Sequence, residues 1–212
     1  MTSLSHADRA ASYSRAFPKW PAPRVDARWI DGMWVLGNDY RNKSPLYGAF
    51  PPGLLKRAFA LFPDATSVLH LFSGSLTDEH VREAWQAAHP KTLFLPRQVR
   101  FDNARMPEAA AADPDVVGDA ADVGSLPHRF DLAIVDPPYE KADAKRYGVK
   151  LPNKKLIVAE LAKVVRPGGH LVWLDTKLPM FRKLEWEWVG AFGIVRSTNH
   201  RVRLLSIFRR VE

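Results

Sequence analysis

Phe130-Asp131-Leu132-Ala133-Ile134-Val135 is a mostly apolar run that ends in Asp136-Pro137-Pro138-Tyr139. A carboxylate closing a buried strand lies at a sheet edge, where ligands bind in α/β folds. Pro137 and Pro138 donate no backbone hydrogen bond and hold the chain extended. Carbonyl acceptors, a carboxylate and an aromatic ring are therefore presented side by side on a stiff loop. That set suits a planar group carrying an NH2 donor.

Three upstream stretches add to it. Val68-Leu69-His70-Leu71-Phe72-Ser73-Gly74-Ser75-Leu76 reads as a strand, a tight turn and the approach to a helix. Such a turn presents free backbone N–H groups to a cofactor. Asp102 follows at about the distance of a ribose-binding acid. Gly118-Asp119-Ala120 follows a third strand, and Asp119 is a candidate acceptor for an adenine amino group. Each has a purely structural reading as well: an ordinary βα turn, a loop acid or helix cap, and an Asx turn.

The elements that must position these residues alternate between strand and helix. Ala65 to Phe72, Leu93 to Phe101, Asp115 to Val117, Asp131 to Val135 and His170 to Asp175 read as strands. Leu54 to Leu61, Thr77 to Ala88 with Thr77 as N-cap, a short piece near Pro107 to Ala112, and Pro152 to Val165 read as helices. Pro167-Gly168-Gly169 stops the last of these, a helix is expected over Pro179 to Trp188, and Gly193 to Ser197 with Arg201 to Arg209 closes the chain as a strand pair. Near the N-terminus, Arg28 to Leu36 reads as a hairpin turning at Asp31-Gly32. The alternation predicts a doubly wound α/β sheet, mostly parallel, with helices on both faces. Residues 1–43 are expected to form an N-terminal extension and 44–212 the catalytic domain.

The chain has 212 residues and a net charge of +8, which suits a polyanionic partner. It has no cysteine, which rules out disulfides, a thiolate nucleophile and a Cys-based zinc site. The His spacing fits no metal site. The N-terminal stretch has no apolar h-region and no run approaches membrane-spanning length, so a cytoplasmic protein without membrane contact is expected.

The ordered set, from about Tyr47 to the C-terminus, resembles the class I S-adenosylmethionine-dependent methyltransferases, specifically the amino-methyltransferases with an Asp-Pro-Pro-Tyr motif. Val164-Val165-Arg166-Pro167-Gly168-Gly169-His170-Leu171 is similar to that family's junction between helix and fifth strand, and Leu46-Tyr47-Gly48-Ala49-Phe50-Pro51-Pro52 to a cofactor-contacting segment of DNA methyltransferases. The resemblance implies a Rossmann-like seven-stranded sheet with a C-terminal antiparallel strand. It implies S-adenosylmethionine held by Tyr47, Phe50, Pro51, His70, Phe72, Ser73, Gly74, Ser75, Asp102, Asp119 and Ala120. Asp136, Pro137, Pro138 and Tyr139 become the catalytic loop, with Tyr139 stacking on the target base. Aspartate at the first motif position implies adenine N6 in DNA. An RNA amino-methyltransferase and a non-catalytic nucleic-acid-binding subunit remain the alternatives. The sequence departs from the family at His70, where an acid is usual, and at Leu76, where a second glycine is usual; Leu76 is expected to crowd the turn.

Glu140 to Lys155 reads as a loop with six Lys or Arg residues against two acids. Lys141, Lys145, Arg146, Tyr147, Lys150 and Lys154 are the expected nucleic-acid contacts. Arg196, His200, Arg201 and Arg203 form a second basic patch. With no long insertion to read a target site, specificity is left to short loops, the N-terminal extension, a homodimer mate or a partner subunit.

Overall fold

The computed structural model describes residues 4–37, 50, 53–103, 113–196 and 202–211. In chain order the elements are α1 (His6–Ala16), β1 (Arg24–Val25), β2 (Ile30–Leu36), α2 (Leu54–Leu61), β3 (Ser67–Leu71), α3 (Asp78–Ala88), β4 (Arg97–Asp102) and β5 (Val116–Val117). A 3-10 helix (Ala120–Ser125) follows, then β6 (Phe130–Val135), α4 (Lys141–Arg146), α5 (Lys154–Val164), β7 (Val165–Asp175), β8 (Trp186–Arg196) and β9 (Val202–Arg210). The expected helix near Pro107 to Ala112 lies outside the described residues.

All strands belong to one sheet, in the order β1-β2-β8-β9-β7-β6-β3-β4-β5. The run from β5 to β7 is parallel, and β9 is antiparallel to both β7 and β8. This is the expected doubly wound sheet with its antiparallel closing strand. It has nine strands among the described residues instead of seven, because β2 adds in parallel beside β8 and β1 adds beside β2.

Period-two alternation sends one set of side chains to each face. From β6, Leu132 and Ile134 enter a core shared with α1, α2 and α3, and Ala133 and Val135 enter one shared with α5 and the 3-10 helix; Phe130, on the other side of a register irregularity, joins the second core as well. Thr77 caps α3 as expected, accepting a 3.2 Å hydrogen bond from the His80 amide. At the outer flank, Asp115 accepts a 2.7 Å hydrogen bond from the Arg100 amide and pairs with the same residue's guanidinium at 2.9 Å.

Two expectations are corrected. Asp31-Gly32 is not a turn but mid-strand in β2; the hairpin turns earlier, where Asp26 N donates to Trp29 O at 2.9 Å. Glycine stands at 32 because a Cβ there would come within 3.0 Å of the Phe192 ring. Residues 176–185 are not helical, and Trp186 already opens β8, burying its ring and donating from Nε1 to Val158 O. The alternation of Trp186, buried, with Trp188, partly exposed, is a strand period.

The β2–β8 seam rests on a close approach. A Cβ on Gly190 would lie 2.5 Å from the Ile30 carbonyl oxygen. Gly190→Ala is therefore expected to lower stability by about 1–3 kcal/mol. Loss of hydrogen-exchange protection at Ile30 to Leu36, ahead of β6, is the measurement; uniform loss would place the damage elsewhere.

Candidate active site

Strand order reverses between β3 and β6, so their C-terminal ends open the crevice at which α/β sheets bind ligands. Leu71 pairs in register with both Phe101 and Val135, and Val135 pairs with Trp173. The residues that follow, Phe72, Asp102 and Asp136, therefore leave the sheet side by side. Asp175 ends β7 on the same edge.

The turn after β3 is built around a carboxylate. Asp102 Oδ2 accepts from the Gly74 amide at 2.7 Å, and Oδ1 accepts from Asn103 N at 2.7 Å. Phe72 (φ 60°) and Gly74 (φ 54°) both take the left-handed conformation, which turns the chain sharply off the strand. Ser73 is buried and its Oγ has no hydrogen-bond partner, while Ser75 is partly exposed. Arg100 donates to the Leu76 carbonyl at 3.1 Å and secures the turn's exit. Leu76 does not crowd the turn: its side chain is buried in the core with Val81 and Trp85.

His70 is fully buried, edge-on to Phe59, with Nε2 2.7 Å from Gln98 Oε1. Burial pushes its pKa down to about 4, so the ring is neutral. It faces the α2 side of the sheet, and Asp102 holds the Gly74 amide. Asp119 is exposed and caps the 3-10 helix, accepting from Ala121 N at 2.9 Å, with Ala120 buried behind it. Phe50 packs against the core, whereas Tyr47, Pro51 and Arg201 lie outside the described residues.

At the end of β6, Asp136 is partly buried and Pro137 buried; Pro138 and Tyr139 are partly buried. The Tyr139 hydroxyl donates to Asp136 Oδ1 at 2.6 Å. Burial pushes the Asp136 carboxyl up to about 7; the Tyr139 hydrogen bond and the Arg203 charge pull the other way, while Asp175 and Asp143 add to the rise. Burial and the Asp136 carboxylate keep the Tyr139 hydroxyl protonated, well above its ordinary range.

Of the basic residues that follow, Lys141, Lys145, Arg146 and Lys150 are exposed and Tyr147 is partly buried. They do not lie on a continuous loop: residues 141–146 form α4. Lys154 turns inward. Its Nζ donates to Asp175 Oδ2 at 2.5 Å and to the Tyr139 carbonyl at 2.9 Å. Asp175, almost wholly buried, also accepts from Thr176 N at 2.6 Å and Trp173 Nε1 at 3.3 Å. The Arg203 guanidinium carbon lies 5.0 Å from the Tyr139 ring centroid. Asp175 and the inward role of Lys154 escaped the sequence reading. Asp175 carried the same signal as Asp136, an acid closing an apolar strand. Arg203, read as part of an exposed patch, reaches the site because Asp175 pairs with Leu204.

No family model and no curated protein matches the chain. Among solved structures it is similar to a Streptococcus mutans protein described as a SAM-dependent methyltransferase (TM-score 0.51, 14% identity, covering 77% of this chain and 50% of that one). It is also similar to TrmN from Thermus thermophilus (TM-score 0.45, 16% identity, 80% and 52% covered). A third is the N-methyltransferase NodS from Bradyrhizobium japonicum WM9 in complex with S-adenosyl-L-homocysteine (TM-score 0.46, 15% identity, 81% and 94% covered). The chain spans about half the length of the first two. At these identities the likeness is one of fold, a Rossmann-like sheet with a closing antiparallel strand.

Proposed function

We propose that this chain is an S-adenosylmethionine-dependent methyltransferase that modifies the exocyclic amine of a nucleobase, adenine N6 in DNA. The observation that carries this reading is the placement of Asp136-Pro137-Pro138-Tyr139 at the strand-order reversal, directly beside the Phe72–Ser75 turn.

The residues of that turn suit the cofactor. Ser73 Oγ is a buried polar atom without a partner, and the space around Gly74 is open. Asp102 presents its carboxylate at the turn and Asp119 presents an exposed one beyond β5. Asp102 would take the ribose hydroxyls and Asp119 the adenine. Bound there, S-adenosylmethionine supplies a methyl group on a sulfonium, an electrophile that needs only a nitrogen lone pair.

An exocyclic amine is a poor nucleophile because its lone pair is delocalised into the ring. Asp136 and the Pro137 carbonyl accept its N–H hydrogens, drawing the nitrogen toward a pyramidal shape and stabilising the positive charge that develops on it. With its carboxyl near neutrality, Asp136 is also suited to accept the displaced proton. Tyr139 orients the carboxylate through its hydroxyl and offers its ring to the base. In a duplex the target base must leave the stack at a cost of a few kcal/mol, and stacking on an aromatic ring returns about 1–3.

The exposed cations of 141–150 suit phosphate contact, and residues 1–43 or a second subunit are assigned to target choice. No helix among the described residues is long and apolar enough to cross a membrane; we place the protein in the cytoplasm. Incubation with methyl-labelled cofactor and equal masses of duplex DNA and folded RNA tests the reading. Label in DNA as N6-methyladenine, abolished by Asp136→Ala, is expected. Label confined to RNA moves the substrate class, and no label in either polymer overturns the reading.

A further inference from the structure

Resting on that reading, we infer that Arg203 occupies the target-base position in the free protein and leaves the Tyr139 ring when the base enters. A guanidinium is planar, cationic and edged with N–H donors. An adenine amino edge is also planar and presents N–H donors, and the Asp136–Tyr139 loop offers the same two partners to both, an aromatic face and a carboxylate. The Tyr139 hydroxyl donates to Asp136 at 2.6 Å, which holds the ring beside the carboxylate. The guanidinium carbon lies 5.0 Å from the centre of that ring, within cation–π range.

The way Arg203 is held suits a replaceable occupant. Its Nε is buried and has no hydrogen-bond partner. Among the described residues it lies over the ring and in the field of the Asp136 carboxylate, to which it contributes an opposing charge. Arg100, by contrast, is locked by hydrogen bonds to Asp115 and Leu76. Arg203 stands second in β9, next to the residue that pairs with Asp175, so its backbone is anchored at the end of the sheet where Asp136 lies. Off the ring, the cation's natural partner is a phosphate of the extruded nucleotide.

One residue thus has opposite effects on two ligands, and comparing them is the test. A nucleoside has a base but no phosphate; 2-aminopurine riboside reports stacking by fluorescence quenching. Arg203→Ala is expected to bind it about two- to fivefold more tightly than wild type. The same variant is expected to bind a duplex more weakly, with the slope of log K against log salt reduced by about one. Arg203→Lys, which keeps the charge on a flexible stem but lacks the planar group, should keep the salt slope and show an intermediate gain for the riboside. Unchanged or weaker riboside binding in both variants overturns the inference. If wild type and variants alike fail to bind riboside and duplex, the methyl-acceptor reading itself fails.

Discussion

Asp136→Asn is expected to lose the proposed methyl transfer by about 10²–10³-fold and at the same time to raise the melting temperature at pH 8. The loss follows from removing a charged acceptor aimed at developing positive charge. The gain follows from the carboxyl's position near 7 in the folded chain, against roughly 4 when unfolded. A carboxyl raised in this way adds most to stability below pH 4, where it is protonated in both states. That contribution is lost as pH rises through about 7, because the folded chain must then carry a partly buried charge. An asparagine carries no such charge and still accepts from Tyr139. The expected advantage at pH 8 is about 2 kcal/mol, or roughly 4–8 °C for a chain of this length, shrinking to nothing near pH 4. Calorimetric melts of both proteins from pH 4 to 8 measure it; parallel curves would show that burial does not raise this carboxyl. In the wild type, activity should fall as pH drops below about 7.

Lys154→Ala should cost about 3–5 kcal/mol, more than removal of any exposed lysine nearby. It strands the Asp175 carboxylate, which is 1% exposed and has no other cationic partner among the hydrogen bonds and ion pairs described. It also removes the donor that holds the Tyr139 carbonyl, so the loop shifts and transfer falls by about 10²-fold. Lys154→Met combined with Asp175→Asn separates the two effects. Both charges go, and the amide oxygen can keep the Thr176 hydrogen bond while the Trp173 bond to the other oxygen is given up; most of the stability should return. The Tyr139 carbonyl remains unheld, so activity should not. Joint recovery in denaturant melts and in turnover would show that Lys154 acts through folding alone.

Much of this site was legible because its residues obey local rules. Asp136 follows an apolar strand and Asp102 ends β4, and a parallel sheet brings such ends to one edge without further information. The apolar period of α5 was readable, but its stop was placed too late: α5 ends at Val164, and Pro167-Gly168-Gly169 lies inside β7, where Gly168 takes φ 75°. What escaped depends on partners distant in sequence. Lys154 looks like its charged neighbours until β7 brings Asp175 beside it. Arg203 belongs to the site only through the register of β9 against β7. A glycine that admits Phe192 is indistinguishable in sequence from one that makes a turn, so Asp31-Gly32 was misassigned. Leu76 stands where the resembled family usually has a second glycine, yet the approach to α3 directs its side chain into the core.

The Asp115–Arg100 contact on the outer flank has a consequence for recognition. Among the described residues β5 pairs with the last two residues of β4, Phe101 and Asp102, so that earlier residues of β4 form a stretch against which a strand could add. The Arg100 amide is already taken by a carboxylate that is itself paired to that residue's guanidinium. An incoming peptide or second copy would have to break that pair before forming its first backbone hydrogen bond there. Beside the cofactor turn the sheet is therefore closed to β-augmentation, and whatever docks on that flank must be recognised through side chains and loops.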